Sequence, residues 1–146
     1  MRNFEGLRMF VALGIAAALV AAPATPAHAG LAFVELTGSQ EATPNSSTAS
    51  GTFEVKIKGA RLCYTLDVTG LQGMSTAAHV HVAPVGTAGP VVIPLPIESG
   101  VSSFTAENCV EADKLLLQAI RANPGGYYVN VHSSVYPAGE IRGQLG

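Results

Sequence analysis

The 146-residue chain is short and weakly charged, with ten acidic and eight basic residues and a formal net charge of −2. Its basic residues form no stripe that could follow a phosphate backbone, which argues against a nucleic-acid partner. Beyond the N-terminal segment, no apolar stretch reaches the length that a membrane-spanning helix needs.

The first 29 residues have the pattern of a signal peptide. Arg2 and Arg8 make the N-terminal segment weakly basic, and the apolar run 9–22 follows it. Ala27-His28-Ala29 then matches the small-x-small pattern of a cleavage site. Cleavage after Ala29 predicts a mature chain of 117 residues, 30–146, with nine acidic and six basic residues. This length suits a single domain. The signal peptide predicts secretion to the periplasm or the extracellular space. The alternative is an uncleaved anchor.

Two cysteines, Cys63 and Cys109, remain in the predicted mature chain. An even pair in an exported protein favours a disulfide bond, and free thiols are the alternative. A metal site built on both cysteines is disfavoured because the close C-x-x-C spacing of such sites is absent.

The segments that follow are typical of β-strands. A first strand is expected in LAFVELTGSQ, before the polar loop EATPNSSTASG. The segments TFEVKIKG and RLCYTLDVTGL alternate apolar and polar residues and predict a hairpin around Gly59-Ala60. The segment AHVHVAPVG is a further β-prone run, GPVVIPL predicts an edge strand, and VSSFTA predicts another strand.

One segment predicts a helix, from about Val110 to Arg121. Asn108 with Glu111, or Glu111 itself, could cap its start, and residues 123–126, NPGG, end it. After it, YYVNVHS and EIRGQL predict two strands joined by a turn in SVYPAG. The fold class expected is therefore all-β: a Greek-key-like sandwich or barrel of about seven or eight strands, with one short helix near residues 110–122.

Histidine distribution gives the main functional signal. Because strand side chains alternate faces, His79 and His81 share one face, and Ala78, Val80 and Val82 take the other. The same alternation in the last two strands gives a polar face bearing Tyr128, Asn130, His132, Glu140, Arg142 and Gln144. If these strands pair, all three histidines of residues 30–146 lie on one surface.

Two interpretations of that surface are open. In the first, His79, His81 and His132 bind copper or zinc, with Glu140 as a further ligand or a second-shell acceptor. In the second, the imidazoles form a polar layer with backbone groups or Tyr128, and Glu140 pairs with Arg142. Nothing predicts catalysis: Ser133 and Ser134 follow His132 without a G-x-S-x-G elbow, so the chain is not expected to be an enzyme.

The segments LTGSQEATP, AHVHVAPVGTAGPVVIPL and YYVNVHSSVYPAGEIRGQL closely resemble the CHRD (chordin-type) domain family, over about residues 31–145. The resemblance implies an extracellular all-β module without established enzymatic activity, whose partner would be an extracellular protein or a metal ion. One departure is that the glycine after H-x-H is delayed to Gly86.

The H-x-H pair, the distant third histidine and the single disulfide are also similar to Cu/Zn superoxide dismutases. Those enzymes need four copper histidines, whereas residues 30–146 contain three. The similarity therefore leaves copper binding open but does not extend to dismutase activity.

Overall fold

The strand-forming segments produce an all-β fold in the computed structural model, which describes residues 32–146. The predicted signal peptide lies outside the described residues. Eight strands, one α-helix and two single-turn 3-10 helices at Gly38–Gln40 and Pro124–Gly126 make up the fold. The strands are β1 (Ala32–Thr37), β2 (Ser50–Lys58), β3 (Arg61–Thr69), β4 (Ser75–Val82), β5 (Val91–Leu95), β6 (Phe104–Glu111), β7 (Tyr127–Ser133) and β8 (Ile141–Gln144), and α1 spans Lys114–Ala122.

All eight strands belong to one antiparallel sheet, in the order β5-β4-β7-β8-β1-β2-β3-β6. The sheet curls into a barrel-like form: Tyr64 on β3 donates its hydroxyl hydrogen to the carbonyl of Pro96, which follows β5 at the other end of the sheet. The inward side chains form one apolar core that includes Phe53, Leu66 and Val80, each fully buried. The all-β prediction and its strand number are confirmed, with a barrel-like sheet in place of two separate layers.

The hairpin predicted around Gly59-Ala60 is confirmed. Strands β2 and β3 pair along their whole length, from Ser50 opposite Thr69 to Lys58 opposite Arg61. Gly59 has a φ of 64°, a left-handed conformation that glycine adopts without the steric penalty of a side chain.

The helix begins later than the sequence predicted. Residues 108–111 belong to strand β6, where Cys109 lies opposite Cys63 and Val110 opposite Leu62 on β3. Helix α1 starts at Lys114, and Asp113 caps it by accepting hydrogen bonds from two backbone N–H groups. The prediction of Asn108 or Glu111 as cap was wrong because pairing with β3 overrides the weak local helix propensity of this segment.

Cys63 and Cys109 form a disulfide, as predicted, with an S–S distance of 2.06 Å. The two residues occupy directly opposite positions on β3 and β6, which brings their Cα atoms to 3.9 Å. The bond links positions 46 residues apart. A cross-link over such a separation stabilises the fold by roughly 2–4 kcal/mol, largely by restricting the unfolded chain.

Strand β4 lies between β5 and β7, and this arrangement positions the histidines. The register places His79 opposite Asn130 and His81 opposite Tyr128. A register shift between Val80 and His81 interrupts the pairing with β5. Val82, predicted to share the face of Ala78 and Val80, lies at the end of β4 and is exposed. Within residues 32–146, no helix is long and apolar enough to cross a membrane.

Candidate metal centre

His79, His81 and His132 converge, as the strand alternation predicted. Each contributes a ring nitrogen, and the three nitrogens lie within 4.8 Å of one another. The ring centroids are 5.0 Å apart for His79 and His132, 5.5 Å for His79 and His81, and 6.1 Å for His81 and His132. Strand β4 supplies two of the rings and its neighbour β7 supplies the third.

The His81 imidazole is buried and held in one tautomer. Its Nδ1 lies 2.8 Å from the carbonyl oxygen of Gly89, and because a carbonyl can only accept, Nδ1 carries the hydrogen. In the neutral ring Nε2 is then a bare acceptor, and this buried atom has no hydrogen-bond partner among the described residues. The ring stacks on Tyr128 with centroids 4.7 Å apart and planes 8° from parallel.

His132 is oriented in the same way. Its Nδ1 donates to the carbonyl of Pro137 at 3.0 Å, which leaves Nε2 deprotonated in the neutral ring. That Nε2 lies 3.1 Å from Nδ1 of His79. Without a metal, His79 Nδ1–H therefore donates to His132 Nε2. That hydrogen bond occupies the lone pair of His132, and the free lone pair of His79 is on its own Nε2.

The environment favours the neutral form of two of these imidazoles. Burial lowers the pKa of His79 below 6.5, and the neighbouring rings of His132 and His81 lower it further. Burial also lowers the pKa of His132, against the opposing effect of its hydrogen bond to Pro137. Neutral imidazole is the form that binds metal ions.

The polar-layer interpretation predicted an ion pair between Glu140 and Arg142, and this prediction was wrong. The Glu140 carboxylate instead accepts hydrogen bonds from the Ser47 hydroxyl at 2.6 Å and the Gln72 backbone N–H at 2.7 Å. Strand β8 begins only at Ile141, so Glu140 lies outside the ladder and reaches two neighbouring loops. The carbonyl groups of Gly89 and Pro137, and not Glu140, accept hydrogen bonds from the rings of His81 and His132.

Arg142 instead holds the loop 83–90 that connects β4 to β5. Its guanidinium donates to the carbonyls of Thr87 at 2.8 Å and Pro84 at 3.0 Å, and to the side-chain oxygen of Gln144 at 3.0 Å. The guanidinium carbon also lies 3.4 Å from the centroid of the Tyr128 ring. The side chain is 1% exposed, so these contacts replace its hydration.

Two further contacts bind the same loop to the barrel. Gln144 donates from Nε2 to the carbonyl of Ala83 at 2.8 Å, and the N–H of Gly89 donates to the Tyr128 hydroxyl at 3.2 Å. The loop carries the carbonyl that fixes the His81 tautomer. Strand alternation placed Tyr128 and Gln144 on the polar face that bears the histidines. It did not predict that both side chains bind this loop.

Glu41 is a buried acid that the sequence assigned only to a polar loop. Burial raises its pKa to about 7, although nearby Arg142 and hydrogen bonds to Ala42 and Asn130 oppose the rise. Gly139, with a φ of 132°, makes room for it, because a Cβ there would lie 2.5 Å from Glu41 Oε1. The only advance signal was the segment LTGSQEATP within the family resemblance.

No curated protein and no solved structure matches the chain. The sequence profile described as the CHRD domain matches residues 32–145, which is nearly all of the described chain. The family predicted from the histidine segment and the C-terminal strands is confirmed, and the chain belongs to the CHRD domain family.

Proposed function

We propose that the chain is an exported, non-catalytic CHRD module that binds one Cu(II) or Zn(II) ion through His79, His81 and His132. The observation that carries this proposal is the buried Nε2 of His81, a member of the three-histidine cluster, which has no hydrogen-bond partner within residues 32–146. A buried polar atom without a partner costs about 1–3 kcal/mol. The polar-layer interpretation leaves that cost in place, whereas a metal–nitrogen bond removes it.

The spacing within the cluster also supports a metal site. Two nitrogens bonded to one ion at about 2.0–2.1 Å lie roughly 2.9–3.4 Å apart for bond angles near 90–110°. Nδ1 of His79 and Nε2 of His132 are already 3.1 Å apart, and ligation through both atoms requires the His79 hydrogen to move from Nδ1 to Nε2 of the same ring. The nitrogen of His81 lies within 4.8 Å of both, so a movement of at most about 1–2 Å completes the set.

The ligand chemistry favours borderline divalent ions. Imidazole suits copper and zinc, whereas Cu(I) is selected by thiolates and thioethers. Both cysteines of the chain are joined in the Cys63–Cys109 disulfide on β3 and β6. The backbone carbonyls that bind Nδ1 of His81 and His132 resemble the outer acceptors that orient metal-binding histidines.

Metal binding can be tested by calorimetric titration of the exported, metal-free protein. We expect one Cu(II) or Zn(II) per chain at pH 7.5, with an affinity that falls as the pH is lowered through about 6.5 and below, because protons compete for the imidazoles. The lowered pKa values of His79 and His132 delay that fall relative to a free imidazole.

The matched control is a variant with all three histidines replaced by glutamine, which should bind no stoichiometric metal. Equal titration curves for this variant and the natural protein would reject the metal site. In that case the chain would remain a binding or structural module for an extracellular protein.

Export is the second part of the proposal, supported by the leader pattern at residues 1–29 and by the disulfide. Protein recovered from a bacterial periplasm should have an intact mass that begins at Gly30, two hydrogens below that of the reduced form. A retained leader or two alkylatable thiols in native protein would contradict this expectation. The same protein reduced before the measurement serves as the reference.

A further inference from the structure

We propose that an ion bound by His79, His81 and His132 keeps one coordination position open to solvent and takes a small inorganic anion there. This inference rests on the proposed function, since it concerns the ligand that completes the same site. It assigns the cluster an exchangeable fourth ligand from outside the protein.

The first step is the number of protein ligands. Among the residues the structure describes, no other His, Cys, Asp or Glu joins the three histidines. The closest sequence candidate, Glu140, is engaged with Ser47 and Gln72. Zn(II) takes at least four ligands, and a site with three protein ligands keeps the fourth position for water or substrate.

The second step is the direction from which a fourth ligand can approach. His81 is 7% exposed and lies on the inner side of the cluster, against Tyr128. His79 and His132 are only partly buried. We therefore expect a fourth ligand to approach from the side of His79 and His132, away from the loop that holds His81.

The third step is charge. Three neutral imidazoles leave the full +2 charge of the ion uncompensated, and Arg142 adds a further positive charge behind the Tyr128 ring. Glu41, the acid that interacts with Arg142, has a pKa raised to about 7 and is only partly ionised near neutral pH. An anion is therefore favoured over a neutral ligand at the fourth position.

Azide provides the test because its complex with Cu(II) has a charge-transfer absorption. Protein loaded with one Cu(II) per chain should develop this band on addition of sodium azide in chloride-free buffer. The band should saturate at one azide per copper as azide displaces bound water. Nitrogen hyperfine structure in the electron paramagnetic resonance spectrum should retain all three imidazoles.

Each contrary result identifies which proposal fails. If Cu(II) does not bind at all, the proposed function fails before azide is added. If Cu(II) binds but azide produces no band, or if azide displaces a histidine, the metal site stands and the open position is rejected. Co(II)-loaded protein provides a second readout, because its visible absorption should shift with azide only if the coordination sphere accepts the anion. The triple glutamine variant, given equal copper, should show no saturable band.

Discussion

Replacement of Arg142 by alanine is expected to lower the free energy of unfolding by about 3 kcal/mol or more. The guanidinium is fully enclosed and satisfies the carbonyl oxygens of Pro84 and Thr87. Alanine leaves these acceptors without a donor and exposes the face of the Tyr128 ring that the guanidinium covers. Removing a buried charge offsets part of the loss, because the desolvation cost of the guanidinium also disappears.

Urea denaturation provides the measurement, with Lys56→Ala as the matched control. Lys56 also carries a positive charge, but its side chain is 59% exposed and pairs with Glu54 on the surface, so its loss should cost less than about 1 kcal/mol. Equal midpoints for Arg142→Ala and Lys56→Ala would show that the contacts of Arg142 contribute little.

A double-mutant cycle separates this explanation from an ion pair with Glu140. Because Glu140 bonds to Ser47 and Gln72, and Arg142 bonds to loop 83–90, the substitutions Arg142→Ala and Glu140→Gln should be additive within about 0.5 kcal/mol. A coupling energy well above that value would restore the pair that the sequence predicted.

The local pattern of the sequence contained most of the strand and site information. Alternation with a period of two residues is a property of the backbone, so it assigned His79 and His81 to one face of their strand and His132 to the polar face of its own. Pairing of β4 with β7 then brings the three together. The disulfide followed from counting cysteines in a chain whose sequence predicts export. These inferences need no information about distant neighbours, and for that reason they were accurate.

The features that failed depend on tertiary partners. Residues 108–111 have helix-compatible composition, yet β3 draws them into the sheet. Glu140 and Arg142 are two residues apart on a nominally shared face, yet loops from other parts of the chain supply the partners of both. Glu41 lies in a loop of polar composition, and its burial depends on the close approach that Gly139 permits. No local periodicity encodes these contacts.

Replacement of His81 by alanine is expected to weaken Zn(II) binding at least about 100-fold, as a lost ligand should cost no less than the 10–100-fold typical of an outer-shell partner. His81 has both a fixed tautomer and an unpartnered buried nitrogen, so it is the ring best prepared for ligation. We expect the loss of Zn(II) affinity in His81→Ala to exceed that in His79→Ala. His79 is more exposed, and it is hydrogen-bonded to His132 in the metal-free protein.

Thermal or urea unfolding with and without zinc measures the loss of zinc affinity independently of calorimetry. Zinc at 100 times the dissociation constant of the natural protein should stabilise that protein by about 2.7 kcal/mol. A 100-fold weaker variant should gain only about 0.4 kcal/mol at the same zinc concentration. Gln118→Ala, on the exposed face of α1, should keep the full zinc effect and serves as the control.

Comparison of the metal-free proteins excludes a trivial folding defect. Alanine at position 81 removes the stack on Tyr128 and the hydrogen bond to the Gly89 carbonyl, but it also removes the buried nitrogen that lacks a partner, so these effects oppose each other. The metal-free stabilities should therefore differ by less than about 2 kcal/mol. If His81→Ala retains the full stabilisation by zinc, the ion does not bind at this cluster, and the carbonyl groups of Gly89 and Pro137 serve only to satisfy buried imidazoles.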